Sequence, residues 1–279
     1  MRPILVGTDF SSGSYVALEL AVDIANRMQT DILLVWAQRA KILFSDEQTN
    51  TMAHLADAKL ATLCDEWQPH LKYGTMRHEV YNGKVGAGLA AVGRRESAIM
   101  IVIGTNGASG FEKYLIGSTA ARIVQEASCP VLTVREGFNF HKKLERIVVP
   151  LRINANSRQK VPPAASMAKV FDSEVCILGL LEMAEDESSL RTYMKQATDY
   201  LEQEHIRYST TIQKYSDYSD AVLSFADGLN ADLIIINTEQ DKIIAQLFLG
   251  TNAQQIVHRS QIPVLCIHPE DYINVSAKI

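Results

Sequence analysis

Ala98-Ile99-Met100-Ile101-Val102-Ile103 runs directly into Gly104-Thr105-Asn106-Gly107-Ala108-Ser109-Gly110, and Gly117-Ser118-Thr119 follows shortly after. Six apolar residues in a row do not alternate, so both faces of this strand are covered by other parts of the chain. Beyond the glycines, Thr119-Ala120-Ala121-Arg122-Ile123-Val124-Gln125-Glu126 has the spacing of a helix. A buried strand, a glycine-rich loop and a helix start together suit a phosphate group. Glycine lets backbone approach closely, and the first helical turn offers unpaired N–H groups at the positive end of its dipole.

Working outward, the same alternation recurs. Ile4-Leu5-Val6-Gly7 reads as a buried strand ending in Thr8-Asp9-Phe10-Ser11-Ser12, where Ser11, Ser12 or Ser14 caps a helix. That helix places Ala17, Leu20, Ala21, Ile24, Ala25 and Met28 on one face. Ile32–Trp36 is a second continuous apolar run. Met52, Leu55, Ala56, Leu60, Leu63 and Trp67 mark a second helical face, stopped by Pro69. Met76–Tyr81 predicts a third strand, Val85–Arg95 a third helix, and Val131–Val134 a fifth strand after the glycine loop and its helix. Such alternation means a parallel sheet with helices on both faces. Open sheets of this kind bind ligands at strand carboxyl ends, where strand order reverses, and both Asp9 and the Gly104 loop fall at such ends.

The chain then repeats itself. Arg146–Leu151 matches the opening strand 143 residues on, and Ala231–Ile236 matches Ala98–Ile103 at an offset of 133. Gly250 falls on Gly117, Thr251 on Ser118, and Pro263-Val264-Leu265 on Pro130-Val131-Leu132. Glu136–Lys143 is the natural linker, giving two α/β domains over 1–137 and 144–279. The copies differ where a ligand would sit. Asp9 corresponds to Arg152, Gly104 to Asn237 and Gly107 to Gln240. Longer side chains there are expected to fill the second pocket, although Asn237 tolerates a left-handed backbone and could preserve the loop's shape.

Totals exclude several classes. The 279 residues are 47% apolar and 21% charged, with net charge −5 and a pI near 5.8. An acidic balance argues against a nucleic-acid partner held through phosphate neutralisation. No run approaches the roughly 18 apolar residues of a membrane span. Cys64, Cys129, Cys176 and Cys266 are scattered without a CxxC pair, which points to buried thiols in a reducing cytoplasm. Cys266 and His268 share a strand face, but two ligands do not make a zinc site.

The pattern Gly104-x2-Gly107-x9-Gly117-Ser118, after a strand and before a helix, resembles the ATP-binding signature of the universal stress protein family. The opening Ile4–Ser11 and the Ala127–Leu132 entry to the last strand resemble that family as well, and the resemblance spans both copies. It implies two tandem Rossmann-like domains of the adenine nucleotide alpha hydrolase-like kind, each an open five-stranded parallel sheet. It also implies a bound adenine nucleotide, ATP with or without Mg2+, in the first domain. Thr8 and Asp9 would meet adenine or ribose, and the backbone at Trp36 the adenine edge. Gly104, Asn106 and Gly107 would wrap ribose and phosphates, while Gly117, Ser118 and Thr119 would hold phosphates. Read from the residues alone, the alternatives stay open: Asp9 as a helix-cap residue, Trp36 as a core residue, and Gly104 and Gly107 as a tight turn. The resemblance further implies an intramolecular pseudo-dimer through the fifth strands, Val131–Val134 and Val264–Ile267, and leaves a homodimer open.

Catalytic signatures are missing. There is no GxxxxGK[ST] loop, no GxGxxG after the first strand and no GxSxG elbow. Asp9 is the one acidic residue placed at the site, whereas a dedicated ATPase needs a positioned water and metal ligands. The expected role is therefore a cytoplasmic ATP-binding stress-response protein with at most slow hydrolysis. A small-molecule or protein-binding scaffold with a vestigial nucleotide site is the alternative.

Overall fold

The computed structural model describes residues 1–38, 46–105, 118–138, 144–238 and 251–268. The chain divides into two compact units, Met1–Phe138 and Asn139–Ile279.

In the first unit, β1 (Ile4–Gly7) leads through α1 (Ser12–Met28) to β2 (Ile32–Gln38). Then come α2 (Asp46–Trp67), β3 (Met76–Asn82), α3 (Val85–Arg95), β4 (Met100–Gly104), α4 (Ser118–Glu126) and β5 (Val131–Val134). The sheet order is β3-β2-β1-β4-β5, and the paired strands are parallel. Ile4, Leu5, Val6, Ile32, Leu33, Leu34, Ile101 and Val102 are all buried, because helices cover both faces of the sheet.

The second unit repeats this plan with β6 (Arg146–Leu151), α5 (Val161–Phe171), β7 (Glu174–Leu181), α6 (Glu187–Gln203) and β8 (Tyr208–Lys214). It continues with α7 (Tyr218–Gly228), β9 (Leu233–Asn237), α8 (Thr251–Arg259) and β10 (Val264–Ile267). Its order is β10-β9-β6-β7-β8, again parallel. Each unit is thus a Rossmann-like five-stranded domain.

Helix starts and stops follow local chemistry. Ser11 caps α1 by accepting from the Ser14 N–H, and Gln29 ends it at φ 53. In the second unit the 17 residues corresponding to α1 split in two. Ala155–Lys160 form a 3-10 turn and only Val161 onward is α-helical, with proline in the first turn. Asp172 closes that helix at φ 57, as Gln29 does in the first unit.

Three expectations shift. The fourth strand begins at Met100 rather than Ala98, because Ser97 turns at φ 50 and the Ile99 N–H is drawn to the Pro3 carbonyl at 2.9 Å. On α2, Ala56, Leu60 and Leu63 are buried, but Met52 and Leu55 are 43% and 67% exposed, so the apolar stripe is narrower than its spacing suggests. Asn237 remains within strand β9 and does not use the left-handed backbone open to it. Among the described residues no helix is long and apolar enough to cross a membrane.

Candidate functional site

Strand register assembles the site in the first unit. Gly7 at the end of β1 pairs with Val35 of β2 on one side and with Ile103 of β4 on the other. The residues that follow, Thr8, Trp36 and Gly104, therefore stand side by side along the carboxyl edge of the sheet. From β1 the chain moves outward to β2 and β3 and then returns to β4, so strand order reverses between β1 and β4. That crevice is where open α/β sheets take ligands. Ser118 and Thr119 open α4. Asn106, Gly107 and Gly117 lie outside the described residues.

A closed set of hydrogen bonds forms the β1–α1 turn. The Thr8 N–H reaches the Val35 carbonyl at 3.0 Å. Thr8 Oγ1 accepts from the Phe10 N–H at 3.0 Å and lies 3.0 Å from Ser14 Oγ. Ser14 gives its one hydroxyl proton to the Ser11 carbonyl at 2.9 Å, which leaves Thr8 as donor in the Thr8–Ser14 pair. Asp9 Oδ1 accepts from both the N–H and the hydroxyl of Ser11. Thr8 and Asp9 thus hold the turn that aims α1 at the crevice. Asp9 is exposed, Thr8 half-buried, and Trp36 half-buried at the edge.

Phe10 and Lys59 were not foreseen. Phe10 has φ 62, a left-handed conformation a bulky residue rarely adopts. Lys59 of α2 sets its ammonium 4.4 Å above the centre of the Phe10 ring, bringing positive charge to the turn. No local spacing signals a pair 49 residues apart.

Gly104 has its own structural reason. Its φ is not left-handed, but a Cβ there would stand 2.7 Å from both the carbonyl carbon and oxygen of Gly13. Gly13 lies in the first turn of α1. In the second unit Asn156 and Asn237 occupy the corresponding places, and the Asn237 side-chain amide donates to the Asn156 carbonyl. Backbone contact in one repeat is thus replaced by an amide bridge in the other. Thr238 next to it lies 2.6 Å from Nδ1 of the buried His268.

A second constellation lies on α2 and β3. Cys64 Sγ is 3.7 Å from His78 Nδ1, and His78 Nε2 is 3.2 Å from Asp57 Oδ1. The order resembles a nucleophile with its base and orienting acid. Burial, aided by the charge of Asp65, pushes the Cys64 thiol up to about 11, so its thiolate is scarce at neutral pH. Among the described residues no group of three or more His, Cys, Asp or Glu side chains is arranged to hold a metal.

Comparison with known proteins agrees with the duplication. The universal stress protein family model matches residues 1–135 and again 144–268. Universal stress protein MJ0531 of Methanocaldococcus jannaschii is 27% identical over 147 residues, which cover 48% of this chain and 82% of that protein. Universal stress protein Rv2623 of Mycobacterium tuberculosis is 29% identical over 136 residues, 48% of this chain. That match spans only 45% of the mycobacterial protein's own length. The crystal structure of a universal stress protein from Archaeoglobus fulgidus superposes with a TM-score of 0.80 at 19% identity, covering 96% of this chain and 98% of that one. A universal stress protein crystal structure from Pseudomonas aeruginosa gives 0.71 at 16% identity, covering 98% and 95%. With the family model matched in both halves, the chain belongs to the universal stress protein family, as a tandem of two such domains.

Proposed function

We propose that the first repeat binds an adenine nucleotide, ATP in the first instance, as a regulatory or structural ligand in a stress response. The observation carrying this reading is the row Thr8–Trp36–Gly104 at the β1/β4 reversal, with the first turn of α1 directed at the same crevice. Asp9 would accept from nucleoside hydroxyl or amine donors, and Lys59 supplies a neighbouring positive charge. Gly104, Asn106, Gly107, Gly117, Ser118 and Thr119 are proposed to wrap the ribose and phosphates. Mg2+ would travel with the triphosphate, since no acidic cluster among the described residues would hold it alone. Cys64, Cys129, Cys176 and Cys266, all buried and none in a disulfide, suit a reducing cytoplasm. Two repeats of one family also fit an intramolecular pseudo-dimer.

Calorimetric titration with ATP, ADP and AMP tests the reading, with Asp9→Ala and Gly117→Val as comparison. Binding by the wild type that is lost in both variants supports it, and absence of binding sinks it. A ligand present at 100 times its dissociation constant adds about 2.7 kcal/mol, so a thermal shift is a rapid first measurement. Steady phosphate release, lost in the variants, would instead indicate an ATPase.

A second reading rests on the engagement of Thr8 and Asp9 within the turn and on the contact of Gly104 with Gly13. All three have structural work without a nucleotide, as they would in a scaffold whose site is vestigial. The same titration separates the two.

A further inference from the structure

We propose that Lys59, held in place by Phe10, reads phosphate charge in the first repeat and gives its crevice a preference for nucleotides over the bare nucleoside. The inference rests on the nucleotide reading above and adds a selectivity to it. The β1–α1 turn borders the end of β1. There the Thr8 N–H bonds the Val35 carbonyl of β2, and Phe10 follows two residues later with its N–H on Thr8 Oγ1. The Lys59 ammonium, 4.4 Å from the centre of the Phe10 ring, puts a cation on the same turn as Asp9.

Phe10 differs from the other left-handed residues. Among the described residues, Gln29, Ser97, Asp172, His205 and Asn230 also have positive φ without being glycine. Each stands at a helix C-cap or one residue beyond it, where left-handed backbone is ordinary. Phe10, at φ 62, instead leads into a helix, and a bulky side chain takes that conformation at a cost. The fold does not require it, since Ile153, at the same place 143 residues on, is not left-handed. In the first repeat the conformation sets an aromatic face beneath Lys59.

Lys59 is exposed and makes no ion pair or hydrogen bond among the described residues. Its charge is therefore unanswered by those residues, while the ring holds the side chain. A ligand meets that charge without first ordering a free lysine. The ammonium covers this face of the ring, so a base does not stack there. It brings three donors and no acceptor, which suits phosphate oxygens. Asp9 only accepts, which suits the hydroxyl and amine donors of a nucleoside. The turn thus offers one group to each half of a nucleotide.

Calorimetric titration of the full chain with ATP, AMP and adenosine tests this, on the wild type, Lys59→Met, Lys59→Arg and Phe10→Leu. Lys59→Met should weaken ATP by roughly fivefold to tenfold and adenosine by less than about twofold, because only a charge-assisted contact is lost. That deficit should shrink as salt rises from about 0.05 to about 0.5 M. Lys59→Arg keeps the cation and its place on the ring, and should restore ATP binding to within about twofold. Phe10→Leu keeps apolar bulk but loses the π face, so ATP should weaken by roughly twofold to fivefold. Unchanged ATP binding in Phe10→Leu overturns the positioning role of Phe10. Equal losses of ATP and adenosine in Lys59→Met overturn the selectivity. ATP binding at wild-type strength in Lys59→Met overturns it too, while leaving the nucleotide reading intact. If the wild type binds none of the three, both fall together.

Discussion

Gly104 and Gly13 meet backbone to backbone, so closely that a Cβ on Gly104 would sit 2.7 Å from the Gly13 carbonyl. Neither partner atom is the free end of a side chain, so neither can swing aside. Gly104→Ala is therefore expected to cost about 1–3 kcal/mol, with or without nucleotide. That corresponds to a fall of about 2–10 °C in melting temperature. Gly228→Ala is the control. A Cβ there meets nothing within 4 Å, and the position is the last of α7, so alanine should be neutral or stabilising by up to about 1 kcal/mol. Equal losses in the two variants, measured by thermal denaturation, would remove the steric argument.

That contact also marks the limit of what the sequence discloses. The strands and helices were legible because continuous apolar runs and helical spacing are local signals, and the bounds these give for α3, Val85–Arg95, are those of the helix itself. The duplication made the second domain legible from the first. Contacts across the fold were not. Gly104 reads as a loop glycine until α1 is seen against it, 91 residues earlier in the chain. The 3-10 opening of residues 155–160 was equally hidden, since 12–17 in the first repeat form regular helix. At the site, the residues at strand ends could be named in advance because register places them together. The roles of Thr8 and Asp9 in the turn depend on hydrogen bonds that no motif encodes.

Thr8→Val tests that turn. Valine keeps the shape but leaves the Phe10 N–H without its acceptor and Ser14 Oγ without its donor. One neutral bond at a half-buried site is worth about 0.5–1.5 kcal/mol, so urea unfolding should show a loss of about 1–2 kcal/mol. Thr8→Ser retains the hydroxyl and should recover most of it. If Thr8→Val matches the wild type, the network does not hold the turn.

Asn237 combines two opposed effects. Its amide bonds the Asn156 carbonyl, while its Oδ1 is buried and makes no hydrogen bond among the described residues. The bond contributes about 1 kcal/mol, and an unmade buried acceptor costs about 1–3 kcal/mol. Asn237→Ala removes both and should stay within about 1 kcal/mol of the wild type in equilibrium unfolding. A loss above about 3 kcal/mol would mean that the amide bridge sets the geometry of the whole 3-10 segment.

Cys266 gives the protein an alkaline limit. Complete burial pushes its thiol up to about 12 from its ordinary value of 9.0. The folded state therefore keeps a proton that the unfolded chain releases above pH 9, and N binds more protons than U between about pH 9 and 12. Stability must fall with rising pH across that window, by at most about 1.4 kcal/mol per pH unit for one thiol, and it should be insensitive to this group below pH 9. Cys266→Val removes the term. Urea unfolding at pH 8 and pH 10 should show a smaller loss in the variant than in the wild type; identical losses would mean that the thiol is not the group responsible.

The Cys64–His78–Asp57 arrangement invites a catalytic reading that its electrostatics oppose. A nucleophilic cysteine needs its thiolate, and such sites are partly exposed and electropositive. Cys64 is 7% exposed, with its thiol raised to about 11, and Asp65 adds a negative charge nearby. His78 does not reverse this: its other nitrogen faces Asp57, whose side chain is 60% exposed, so the pair is partly solvated and weakly coupled. Native protein at pH 7.5 should therefore react with iodoacetamide at Cys64 far more slowly than the same chain in urea, and His78→Ala should change the native rate little. Mass spectrometry of the modified peptide reads this directly. Labelling of the folded protein that is as fast as in urea and collapses in His78→Ala would make the trio a working nucleophile.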